Sequence, residues 1–310
     1  MTAEMLSPGI VPGRYAVNLP EERESPMTTS SRMTDPTPQQ WVDRYLALLG
    51  EPTAAPSLPF LSALIRAQFR AVTFENVTSL LRRAATPDGP VPSLDPEALL
   101  ANWEAERGGG VCYEISAMFH RLIRALGYDT ELVLAQISIP DGHQALQVRL
   151  DGARYLVDVG TGSPIFRPIP LTSTTEFRHA GLSYRFRADE PGHWLQERLF
   201  DGEWKQTCRY DLSPLDPERQ YIAYQHHQTP GATWVLDKIR LIRCEDDVVY
   251  SLTGPELTTV TTAGKRTDQL TTLAAYASLA AETFGLSRLP LTDAADANPN
   301  FMPIELAVSG

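Results

Sequence analysis

Residues 106–139 read ERGGGVCYEISAMFHRLIRALGYDTELVLAQISI, and the fold class turns on a change of pattern inside them. Ile115, Met118, Phe119, Leu122, Ile123 and Leu126 recur at helical spacing, the apolar stripe of an amphipathic helix. Gly127 ends it. Beyond that glycine the apolar period drops to two, and ELVLAQISI reads as a strand.

Upstream of the switch the chain reads as helices. TPQQWVDRYLALLG offers Thr37 as N-cap and Pro38 at the first helical position, puts Trp41, Tyr45, Leu48 and Leu49 on one face, and stops at Gly50. Ser57 and Pro59 start a second helix bearing Leu61, Leu64, Ile65 and Phe69. A third covers 95–107, and FENVTSLL (74–81) closes this region. Downstream the chain reads as strands. HQALQVRL, the turn Asp151-Gly152 and ARYLVDVG predict a β-hairpin. GLSYRFRAD, HWLQERLF and EWKQTCRYDL extend it into an antiparallel meander, a small barrel or curled sheet. SPLDPERQ marks a linker. Strands within TWVLDKIRLIR, DDVVYSL and ELTTVTT follow, then a helix over TDQLTTLAAYASLAAETFG. Segregated helices and strands give an α+β class, not alternating βαβ. The expected organisation is a disordered tail over 1–35, a helical bundle over 36–127, a β-barrel over 128–213, a linker over 214–230 and a last α/β unit over 231–310.

Bulk properties bound the function. The chain has 310 residues, 43% of them hydrophobic, enough for one large or several small cores. A formal charge of -11 argues against a general nucleic-acid binder. Three cysteines form no disulfide framework and suit a reducing cytoplasm. No CxxC or HExxH spacing predicts a metal site, and no apolar run predicts a membrane span.

The hairpin turn fixes a register. With Asp151 and Gly152 as turn residues, Leu150 faces Ala153 and Ala145 faces Asp158. His143 then shares a sheet face with Asp158, as a diagonal neighbour roughly 7–8 Å away by backbone. The opposite face carries Leu146, Val148, Leu150, Tyr155, Val157 and Val159, so one face is expected to be buried and the other to hold the polar pair. Cys112 opens its helix, where the macrodipole and free N–H groups stabilise a thiolate. Thiol nucleophile, imidazole base and carboxylate orienter are the parts of a catalytic triad.

These residues resemble a known family. RGGGVCYEIS, GHQALQV and DVGTG, preceded by FENV, are similar in order and spacing to the signatures of arylamine N-acetyltransferases, over about residues 38–290. The resemblance implies a helical bundle, a β-barrel and a C-terminal α/β lid around a cysteine-protease-like core. It implies Cys112, His143 and Asp158 as catalytic triad, and Phe74, Val111, Gly160 and Thr161 at the substrate. Acetyl-CoA would be the co-substrate, with no bound cofactor, and an arylamine, hydrazine or other amine the acceptor. Departures are specific. Gly108 stands where the family has Arg, with Arg107 one place earlier; Val111 and Thr161 stand where it has aromatics; Ser116 stands for Asn.

Two other enzymes fit the same machinery: an amide synthase acting on a carrier-protein-bound polyketide thioester, and a papain- or transglutaminase-like cysteine hydrolase. A binding module with an inert triad is a third alternative. Elsewhere the plainer readings hold. Cys208 and Cys244 are expected as buried filler. His120 lies eight residues into the helix, roughly 12 Å along the axis from Cys112, too far to serve as its base. His226-His227 is expected on a surface loop, and Glu75 and Asn76 as braces of the bundle. GGG lacks the Lys-Ser/Thr of a phosphate loop. The basic residues of KIRLIR are read as a solvated face, with CoA phosphates as the other use.

Overall fold

A computed structural model of the chain describes residues 38–303; the expected tail over 1–35 lies outside them. Five helices come first: α1 (Pro38–Leu49), α2 (Leu58–Ala71), α3 (Val77–Ala84), α4 (Pro96–Glu104) and α5 (Cys112–Ala125). Their caps follow the sequence. Ser57 Oγ accepts from Phe60 N–H ahead of α2, and Asp95 accepts from Glu97 N–H ahead of α4, each with a Pro in the first turn. FENV does more than close the bundle. Phe74–Glu75 is a short strand, β1, paired with a strand from the far end of the chain.

After Gly127 the chain builds an eight-stranded antiparallel sheet. Its strands are β2 (Asp129–Gln136), β3 (His143–Leu150), β4 (Ala153–Val157), β5 (Ile169–Pro170), β6 (Thr175–His179), β7 (Leu182–Ala188), β8 (His193–Phe200) and β9 (Glu203–Asp211). Their order is β5-β4-β3-β2-β9-β8-β7-β6. The sheet curls so that Val133, Ala145, Leu156, Tyr184, Phe186 and Tyr210, from five strands, meet in one core. The predicted hairpin register holds, with Leu150 opposite Ala153 and Leu146 opposite Val157. The expectation of one buried face does not. Leu146, Val148 and Val157 pack with the helices, while Ala145 and Leu156 pack inside the curl. β3 is buried on both faces over its first six residues, because a helix layer covers the outside of a sheet that already encloses a core.

The stretch expected as a linker contains α6 (Pro217–His227). Asp216 caps it by accepting from Glu218 N–H, and Ala223, Tyr224 and His227 are buried. A 3₁₀ turn (Trp234–Leu236) leads to β10 (Arg240–Cys244), β11 (Val248–Thr253), β12 (Glu256–Thr261) and β13 (Gly264–Gln269). These form a second antiparallel sheet in the order β1-β10-β11-β12-β13. The last helix was expected from Thr267. Instead Thr267–Gln269 complete β13, and α7 (Leu273–Glu282) starts after Thr272, whose hydroxyl accepts from Ala275 N–H. A strand partner for Thr267 outweighs its helical spacing. The short α8 (Leu291–Ala297) ends the described elements.

One apolar core runs through the three expected regions. Trp41, Leu64 and Phe119 of the bundle, Leu146 and Val157 of the first sheet, and Leu241, Leu252 and Phe284 of the last unit all belong to it. Asn76 ties the bundle to the second sheet. It donates to the Val235 and Lys238 carbonyls at 2.5 and 2.8 Å and accepts from Arg240 N–H at 2.8 Å. Among the described residues no helix is long and apolar enough to cross a membrane.

Candidate active site

Cys112 is the first residue of α5 and is half-buried. The three glycines before it press the chain against residues 73–78. A methyl group at Gly109 would stand 1.7 Å from the Thr73 carbonyl oxygen, and one at Gly108 2.4 Å from the Thr78 side chain. Gly110 takes a φ of +146°, and its carbonyl accepts from Glu75 N–H at 3.0 Å. The glycines therefore serve close backbone approach. Two buried carboxylates hold the segment. Glu75 accepts from Gly109 N–H at 3.1 Å and from Thr78 N–H at 3.0 Å. Burial pushes the Glu75 carboxyl up, against the hydrogen bonds of Thr78 and Gly109. Glu114 accepts from Val111 N–H at 3.1 Å and pairs with the Arg82 guanidinium, which fixes the first turn of α5.

His143 begins β3 and is 1% exposed. Its Nε2 lies 2.8 Å from Asp158 Oδ2, just beyond the last ladder pair of the hairpin. The carboxylate is fully engaged. Oδ1 accepts from Gly160 N–H at 3.0 Å, and Oδ2 also accepts from the Tyr210 hydroxyl at 2.8 Å. Tyr210 comes from β9 and also lies 2.9 Å from Gln196 Oε1 on β8, so the far side of the curl braces Asp158. Burial alone would push the His143 imidazole down. Asp158 and Cys112 outweigh it, by charge and by hydrogen bonding, and lift it to about 10. With Nε2 committed to Asp158, Nδ1 is the ring nitrogen left for the thiol.

Gly160 joins the two halves. A methyl there would stand 2.9 Å from Cys112 Cα and 3.1 Å from its Cβ, so the turn after Asp158 packs directly on the cysteine. Cys112, His143, Phe74, Val111, Gly160 and Thr161 share one small cavity of about 50 Å³. Ile137, His227, Trp234 and Ile242 are also among its walls. A cavity of about 580 Å³ lies elsewhere, among Arg82, Arg107 and Arg288, but contains neither Cys112 nor His143, so size does not mark the chemistry. Among the described residues no group of three or more His, Cys, Asp or Glu side chains is placed to hold a metal ion.

The other candidates fall as follows. Cys208 and Cys244 are buried, and burial raises both thiols. His120 Nε2 meets the Thr130 carbonyl at 3.2 Å. The surface-loop reading of His226-His227 is corrected: both residues lie in α6, His226 exposed, while His227 ends the helix, is buried and lines the cavity. The scarcity of buried apolar positions in ERQYIAYQHH hid the helix. Tyr210 carried no local signal either, since it reaches Asp158 only through strand pairing across β2 and β9.

A family description of N-acetyltransferases matches residues 57–290. The chain is 27% identical over 226 residues to the arylamine N-acetyltransferase of Mycolicibacterium smegmatis, covering 69% of this chain and 80% of that one. It is 28% identical over 184 residues to the proansamycin X synthase of Amycolatopsis mediterranei (strain S699), covering 56% and 68%. The fold is similar to that of Mycobacterium marinum arylamine N-acetyltransferase, solved in complex with CoA, with a TM-score of 0.72, 22% identity and coverage of 84% and 97%. A match over most of the chain, carried on the same bundle, curled sheet and C-terminal unit, makes this protein a member of the arylamine N-acetyltransferase family.

Proposed function

We propose that the protein transfers an acetyl group from acetyl-CoA to an arylamine, hydrazine or other amine through an acetyl-Cys112 intermediate. The observation that carries this is the packing of the Asp158–Gly160 turn on Cys112, with His143 bonded to Asp158 beside it. His143, raised to about 10, is an imidazolium at neutral pH, and a Cys112 thiolate is its natural partner opposite Asp158. The thiolate attacks the thioester carbonyl. The first N–H groups of α5 have no carbonyl inside the helix to bond and donate to the oxyanion. The C–S bond to CoA breaks, and His143 delivers its proton to the departing thiolate. An amine then attacks the acyl-cysteine; His143 takes its proton as the C–S bond to Cys112 breaks, which restores the imidazolium and the thiolate. Asp158 holds the tautomer and supports the imidazolium. Acetyl-CoA is a co-substrate consumed each turn, and a cytoplasmic location belongs with three unpaired thiols.

Mixing the protein with acetyl-CoA and no amine tests this by intact mass. An acetyl adduct that is lost in Cys112→Ala supports it; no adduct from acetyl-, propionyl- or malonyl-CoA overturns it. A second reading, an amide synthase fed by a carrier-protein thioester, is favoured by the similarity to proansamycin X synthase and by Val111 and Thr161 at the cavity. Acylation by an acyl-pantetheine carrier protein but by no free CoA ester would select it.

A further inference from the structure

His227 brings a second imidazole to the cavity of Cys112 and His143. The ring is 5% exposed and held from several sides. Its Nε2 lies 3.0 Å from the Asp141 carbonyl oxygen, which also accepts from the Tyr113 hydroxyl at 2.7 Å. The Asp141 carboxylate is gripped by Arg219 of α6 at 2.8 and 2.5 Å, and the Tyr113 ring lies 5.8 Å from the imidazole by centroids. A carbonyl only accepts, so Nε2 carries the ring proton and Nδ1 keeps a lone pair. Nδ1 is buried and has no hydrogen-bond partner among the described residues. Buried polar atoms are nearly always paired, so an unpaired acceptor on a side chain that lines the reaction cavity is a place for a donor on a ligand. Burial also pushes the imidazole down, with His226 and His143 acting in the same direction, which keeps it neutral.

We propose that His227 Nδ1 accepts an N–H from the incoming amine and thereby selects primary amines and terminal hydrazine nitrogens. The inference rests on the acyl-cysteine reading above. The attacking nitrogen uses its lone pair to form the C–N bond while the C–S bond to Cys112 breaks. One of its hydrogens passes as a proton to His143, which becomes the imidazolium again as the Cys112 thiolate leaves. The other stays on nitrogen, held by His227, and becomes the amide N–H. A secondary amine has one hydrogen, which His143 must take, leaving nothing for His227.

The experiment starts from acetyl-enzyme freed of CoA, so that the acylation step does not enter, and follows loss of the adduct with aniline and with N-methylaniline. Wild type should react faster with aniline. His227→Phe should slow the aniline reaction roughly three- to tenfold, the range of one neutral hydrogen bond, and flatten the preference. His227→Asn, whose Oδ1 can replace Nδ1, should restore part of it. Equal rates for the two amines in wild type overturn the proposal, as does an unchanged preference in His227→Phe. Failure of wild type to form any acetyl adduct instead overturns the acyltransferase reading on which it stands.

Discussion

Asp158 has both carboxylate oxygens occupied, and the partners come from three different segments: Gly160, His143 and Tyr210. The Tyr210 hydroxyl donates to the oxygen that also faces His143, so Tyr210→Phe leaves a buried carboxylate one donor short. A hydrogen bond to a charged group is worth about 1.5–3 kcal/mol. Acetyl-adduct formation measured by rapid-quench mass should slow about tenfold or more, with little loss of fold. His143 sets a pH dependence of known sign. Its value rises from 6.5 to about 10 on folding, so the proton binds the folded protein more tightly. That contribution is complete below about pH 6.5 and is lost as pH climbs through about 10. The melting temperature of wild type should therefore fall more steeply across that window than that of His143→Gln, read by scanning fluorimetry in matched buffers.

At the scale of elements, the glycine run and the hairpin decide where the thiol points. Gly109→Ala forces a methyl group onto a backbone carbonyl that has no room to move, whereas Gly152→Ala meets nothing within 4 Å and strains only a φ of +77°. Urea unfolding should show a loss of about 3 kcal/mol or more for Gly109→Ala, the upper end of overpacking. For Gly152→Ala it should be about 1–2 kcal/mol. Equal losses would mean that the run serves only loop flexibility. The helix stripe from Ile115 and the hairpin register were legible because both follow from local periodicity and a two-residue turn. β6 and β13 were not. Both are edge strands, and β13 is mostly exposed and polar, so neither shows an apolar alternation. α6 was missed because only Ala223, Tyr224 and His227 of its eleven residues are buried.

Across the whole molecule, the core is shared by all three expected regions, and Asn76 bolts the second sheet onto the bundle. Residues 38–303 should therefore unfold in one calorimetric transition, not three. Asn76→Ala should cost about 2–3 kcal/mol, near 1 for each buried hydrogen bond, while keeping a single transition. Separate peaks in either protein would show that the regions stand alone. By itself the sequence determined the switch from helices to strands at Gly127, the hairpin register and the seat of Cys112 at a helix start, because each is set by residues within one or two turns of chain. The tertiary structure decided what those local choices could not. Gly160 reaches Cys112, Tyr210 reaches Asp158 and His227 reaches the cavity through the curl of the sheet and the return of α6, contacts between residues 48, 52 and 115 positions apart. Contacts at such separations are fixed by the packing of a shared core, which no local pattern encodes.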